Sequence, residues 1–155
     1  MRRQDFSLST RHVERASGAE TSPLPTLRLQ YDGPSADLRD GLEGGDGTAL
    51  EESDVDVSLR LMDELDEVDR GVLAVSDRLT GDYVCECNVE TGRLLEFLEA
   101  TKRRASAVDG PPKYRIQFVA ESTPLRTFEM DTFLVYAASG ELRESESLLP
   151  NGVQL

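Results

Sequence analysis

A chain of 155 residues with 38% hydrophobic content is long enough to enclose one core of its own. Thirty acidic residues against 17 basic ones, a net charge of −13, exclude a direct nucleic-acid binder, which needs a basic footprint. No run of about 18 apolar residues is present, so no transmembrane helix is expected. Arg2-Arg3 is followed by no apolar signal core, which makes the cytoplasm the expected location.

Period-two alternation opens the chain, with Phe6, Leu8 and Thr10 on one side and Ser7 and Ser9 on the other. His12, the single histidine, continues the Phe6 parity. A lone histidine is a potential general base, but no motif supplies partners for it, and a surface or half-buried strand residue is the simpler reading. Residues 15–25, rich in Ser, Gly, Thr and Pro, read as a linker or loop between the first two strands. Leu27, Leu29 and Tyr31 then alternate with Arg28 and Gln30 until Asp32-Gly33-Pro34 ends the strand. Ser35 is placed to cap a short helix over 35–43, with Leu38 and Leu42 one turn apart.

Residues 43–53 form an acidic, Gly-rich loop. Its stretch Gly44-Gly45-Asp46-Gly47-Thr48 lacks the third glycine of a dinucleotide turn and the lysine of a P-loop, and the surrounding carboxylates repel anions. A flexible loop is the preferred reading. The clearest strand follows, with Val55, Val57, Leu59 and Leu61 alternating with Asp54, Asp56, Ser58 and Arg60. The acids of this stretch do not match a calcium loop, because Leu59 stands where glycine is required. The wider segment 37–69 holds 13 acidic and two basic residues and reads as a solvated acidic face.

An acidic loop, 63–70, leads into a hairpin of strands 72–78 and 83–89 around Thr80-Gly81-Asp82. Tyr83, Cys85, Cys87 and Val89 share one face of it by parity. Side chains at i and i+2 of a strand are poorly placed for a disulfide, and one His with two Cys matches no zinc spacing. Both cysteines read as reduced, buried apolar fillers.

The main helix is expected over 90–105, where Leu94, Phe97, Leu98, Thr101 and Ala105 form one face. Glu90, Glu96 and Glu99 precede Lys102, Arg103 and Arg104, the order that complements the helix dipole. That order accounts for the basic cluster without an anionic partner. Gly110-Pro111-Pro112 forbids continuation. Tyr114, Ile116 and Phe118 alternate in another strand, 125–136 reads as one further strand, and Ser139-Gly140 turns the chain into 141–148.

The last nine residues, Ser147 to Leu155, carry no charged side chain. Leu148, Leu149, Val153 and Leu155 are therefore the candidate partner-binding residues. Such a tail either folds back over an open sheet edge, with Asn151-Gly152 making the turn, or docks into a partner as a linear motif. Folding back is preferred, since it buries apolar area within the chain itself.

Short turns between successive strands, one main helix and no repeat give an α+β class. The expected architecture is a single domain over 1–155. A mostly antiparallel sheet of about six to eight strands would carry the helix 90–105 packed on it, with the short helix at 35–43. Only Lys102 and Lys113 are lysines among the 17 basic residues. An acid-rich, lysine-poor surface is tolerable where salt screens it, since the Debye length falls to about 3 Å at 1 M. A salt-in cytoplasm is the expected setting; replacement of Lys by Arg through codon bias in a GC-rich genome is the alternative.

The hairpin Val75 to Tyr83, the strand Thr132 to Tyr136 and the ending Leu148 to Val153 together resemble a family of short haloarchaeal proteins of unknown function. The resemblance covers most of the chain, least before Pro25. It implies a halophilic, cytoplasmic protein and assigns no residue a role.

No catalytic or metal-binding constellation is recognisable, and among 30 carboxylates no acid/base pair stands out. The expected function is a non-catalytic interaction or regulatory module with a protein partner, no cofactor and no membrane association. The alternative is a small-molecule binder or enzyme using carboxylates on the sheet. An apolar surface patch on a closed sheet favours the first, and a deep pocket lined by perturbed carboxylates favours the second.

Overall fold

The computed structural model describes residues 5–11, 24–43, 49–62, 70–107 and 110–149. His12, residues 15–23 of the linker, the stretch 44–48, most of the acidic loop after Met62, Asn151-Gly152, Val153 and Leu155 lie outside the described residues. The described residues form eight strands and two helices, the α+β class expected, with the strand count inside the expected range.

The strands β1 (Phe6–Arg11) and β2 (Thr26–Tyr31) pair antiparallel, and Phe6, Leu27, Leu29 and Tyr31 are buried as their alternation requires. Helix α1 spans Ser35–Gly41 and buries Leu38, with Leu42 at its end. Ser35 does not cap it. Pro34 occupies the N-cap position, Ser35 is the first helical residue, and its hydroxyl donates to Glu121 Oε2 at 2.9 Å. The ends of the 43–53 stretch are pinned: Glu43 bridges Ala49, the Leu50 N–H donates to the Leu42 carbonyl at 3.0 Å, and Leu50 is buried.

A single 3-10 turn, Glu52–Asp54, then leads into β3 (Val55–Leu61). The hairpin follows as β4 (Arg70–Asp77) and β5 (Tyr83–Glu90). Its turn is held by the Asp77 carboxylate, which accepts from the Leu79 N–H at 2.9 Å and the Thr80 N–H at 3.3 Å. Gly81 sits at φ 75°, a left-handed conformation suited to a residue without Cβ. Helix α2 covers Thr91–Ala107, starting one residue later than expected because Glu90 ends β5. Strands β6 (Tyr114–Ala120) and β7 (Thr123–Met130) form a second hairpin through Glu121-Ser122. Both turn residues have positive φ, 51° and 62°, the type I′ geometry whose twist matches the flanking strands.

Two expectations are corrected here. The run 125–136 is not one strand. It breaks at Asp131-Thr132, where the Thr132 carbonyl accepts from the Tyr114 hydroxyl at 2.5 Å, and resumes as β8 (Leu134–Tyr136) in a different sheet. Nor is there one mostly antiparallel sheet. Two four-stranded sheets form, in the orders β1-β2-β6-β7 and β5-β4-β3-β8. Both are mixed, with β2 and β6 parallel in the first and β3 and β8 parallel in the second. Period-two alternation marks the buried face of a strand and carries no information on the direction of its neighbour.

Both sheets contribute to one hydrophobic core. Helix α2 adds Leu94, Phe97 and Leu98 to it, and Phe97 meets Tyr114 edge-on at 5.7 Å. The edges β1 and β5 come together where Cys87 Sγ lies 3.5 Å from the Phe6 carbonyl. The outer edge of β8 is covered by the chain's own return: Tyr136 bridges Leu142, Phe133 bridges Leu148, and the Arg143 N–H donates to the Val135 carbonyl at 2.8 Å.

Candidate functional site

The two outer sheet faces differ in kind. On the first sheet the outward residues include Arg28, Gln30, Arg115 and Gln117, a polar surface. On the second, β3 turns Val55, Val57, Leu59 and Leu61 inward and so presents Asp56, Ser58 and Arg60 outward. Its neighbour β4 is apolar on both faces: Leu73 and Val75 point to the core, while Val72 and Ala74 lie on the outer side.

Strand register arranges this outer face as a grid. Tyr136, Arg60, Val72 and Asn88 stand side by side in one row. Leu134, Ser58, Ala74 and Glu86 form the next. Side chains opposed across a row are close enough to touch. At the third row a bulge intervenes. Val75 pairs with Cys85 but Ser76 pairs with Tyr83, so Val84 is the extra residue. Tyr83 thereby leaves the cysteine face on which parity placed it, and stands 65% exposed while Val84 is buried.

Together these residues line a groove of about 590 Å³, open on its solvent side. Val72 and Ala74 form its floor, with Arg60, Met62, Tyr83 and Tyr136 around them. Met62 is 55% exposed. Among the described lining residues Glu86 is the single acid. Neither Glu86 nor Arg60 makes an ion pair among the described residues.

A second depression, of about 420 Å³, is polar. Its charged side chains are engaged with their neighbours. Arg78 holds Asp56 at 2.8 Å, Lys113 lies 3.7 Å from Glu129, and Glu52 Oε1 accepts from the Glu129 N–H at 2.9 Å. Lys102 of the basic cluster donates to the Ser145 carbonyl at 2.6 Å. Among the described residues no three His, Cys, Asp or Glu side chains gather where they could hold a metal ion.

Cys85 and Cys87 are both free and buried on the core side of β5. Burial pushes both thiols up, Cys85 furthest with the neighbouring Cys87 adding to the effect, and Cys87 to about 11. Neutral, inaccessible thiols are poor nucleophiles and poor metal ligands.

Of the four tail residues singled out by sequence, Leu148 is buried, and its N–H and carbonyl both bond to Phe133, at 2.8 and 3.0 Å. Leu149 is half-buried. The groove residues were not singled out by sequence. The signal for them was the unbroken apolar run Val72 to Val75, which marks a strand apolar on both faces.

Among the described residues no helix is long and apolar enough to cross a membrane. The model of a family of unknown function, DUF5793, matches residues 1–155, and the chain belongs to that family. No curated protein and no solved structure matches it.

Proposed function

We propose that this protein is a salt-adapted cytoplasmic module that works by holding a protein partner on the outer face of its second sheet and catalyses no reaction. The observation that supports this most is where the acids are missing. The chain carries 30 acidic residues, yet among the described residues that line the groove over Val72 and Ala74 there is one, beside two tyrosines, a methionine and an arginine. Interface centres are enriched in Tyr, Met and Arg and depleted of Asp, Glu and Lys. The net charge of −13 with two lysines supports the salt-adapted setting, and the two free thiols suit a reducing compartment.

Ala74→Arg places a cation on the groove floor, and Tyr83→Ala removes its most exposed aromatic. Each is compared with the wild type and with Thr127→Arg, a control on the first sheet, by affinity purification from the native host at molar KCl. A partner identified by mass spectrometry should be retained by the wild type and Thr127→Arg and lost from both groove variants. The same proteins on all four baits would overturn the reading.

A further inference from the structure

We infer that the occupant of this face is a second copy of the same chain, docked about a two-fold axis; the inference rests on the reading of the groove as a protein-binding face. Arg60 and Glu86 are the charges that carry it. They sit on either side of β4, Arg60 in the row of Val72 and Glu86 in the row of Ala74. Two strand spacings and one row separate their backbones, about 12 Å on a flat grid of standard sheet dimensions. Neither has an ion partner among the described residues.

About the apolar centre of Val72 and Ala74 this face sets a cation, Arg60, on one side and an anion, Glu86, on the other, an arrangement complementary to itself. A two-fold axis lying in the plane of the interface, across the Arg60–Glu86 diagonal, sets Arg60 of each copy against Glu86 of the other. That reciprocity is the mark of an isologous contact. The same rotation on the same grid brings Tyr83 of one copy to within about 3 Å, in the plane of the interface, of Tyr136 of the other. Val72 and Ala74, buried on the groove floor, lie beneath these contacts. A uniformly basic partner would bring cations against Arg60, and a uniformly acidic one would bring anions against Glu86; a second copy satisfies both with residues this chain already has.

Two chains of −13 repel each other in dilute buffer, and salt that shortens the Debye length to about 3 Å at 1 M removes most of that repulsion. Association should therefore strengthen as salt rises, the reverse of a contact made by exposed ion pairs alone. Sedimentation equilibrium of the purified full chain at molar KCl tests the inference. The wild type should be a dimer that weakens on dilution into low salt. Arg60→Glu and Glu86→Arg, each folded by circular dichroism, should dissociate at least about tenfold more readily. An equimolar mixture of these two variants should recover a dimer, since each then offers what the other lacks. A monomeric wild type, or a mixture that stays monomeric, overturns the inference. A monomeric wild type whose Ala74→Arg variant still loses a copurifying protein overturns the second copy alone. A monomeric wild type with unchanged copurification overturns the binding face as well.

Discussion

Ser147 completes the protection of β8 with a side chain. Its hydroxyl oxygen accepts from the Val135 N–H at 2.9 Å while the hydroxyl donates to the Arg143 carbonyl at 2.8 Å, and the residue is buried. Ser147→Ala leaves that buried donor alone and should cost about 1–3 kcal/mol in a denaturant melt. A loss below about half a kcal/mol, the range of surface substitutions, would mean that water replaces the hydroxyl. Cys85 and Cys87 show what parity can and cannot tell. Their shared face was legible from sequence. The exposure of Tyr83 two residues earlier was not, because a bulge is a feature of pairing between strands. Burial lifts Cys87 from its ordinary 9.0 to about 11. The folded state therefore keeps a proton that the unfolded state gives up above pH 9, and stability should fall as pH rises from 9 toward 11. The limiting slope is about 1.4 kcal/mol per pH unit for each thiol, and burial of the Tyr114 hydroxyl acts in the same direction. Urea melts across that range should show the decline, and a Cys85→Ala/Cys87→Ala variant should show a shallower one. Equal slopes would contradict the assignment.

At the scale of elements, α2 was the most legible piece. The residues at spacings of three and four, Leu94, Phe97, Leu98, Thr101 and Ala105, are all buried, together with Thr91 and Ala100. Leu98 is 2% exposed within the core, so Leu98→Ala should cost about 2–5 kcal/mol, measured by chemical denaturation. A cost below about half a kcal/mol would place Leu98 outside the packing. The strands β1, β2, β3, β5 and β6 were legible from alternation, and β4 from its place in the hairpin around Thr80-Gly81-Asp82. The division of 125–136 was not, since Leu134 and Val135 continue an apolar-rich pattern across Asp131-Thr132 without a proline or glycine to mark the crossing. Strand order lay beyond the sequence for the same reason as strand direction. The parallel contacts β2–β6 and β3–β8 join segments far apart in the chain, and no local signal encodes them.

For the whole molecule, charge sets the terms. The ion pairs formed among the described residues, such as Arg78–Asp56 and Lys113–Glu129, lie at the surface, where each contributes about 0–1 kcal/mol. They do little against a net of −13. The melting temperature should accordingly rise steeply from dilute buffer to molar KCl, read by circular dichroism, and a flat profile would contradict salt adaptation. Class, strand count and acidity were legible in the sequence, whereas the groove was not, because it is assembled by register from four strands. The most direct test of its role is hydroxyl-radical footprinting of the protein in a concentrated native lysate and as dilute purified chain, both at molar KCl. Met62 and Tyr83, which stand on the groove, should be protected in the lysate, while Leu79, 88% exposed at the hairpin tip outside it, should react equally in both. Equal reactivity of all three residues in the two samples would contradict a protein-binding role for this face.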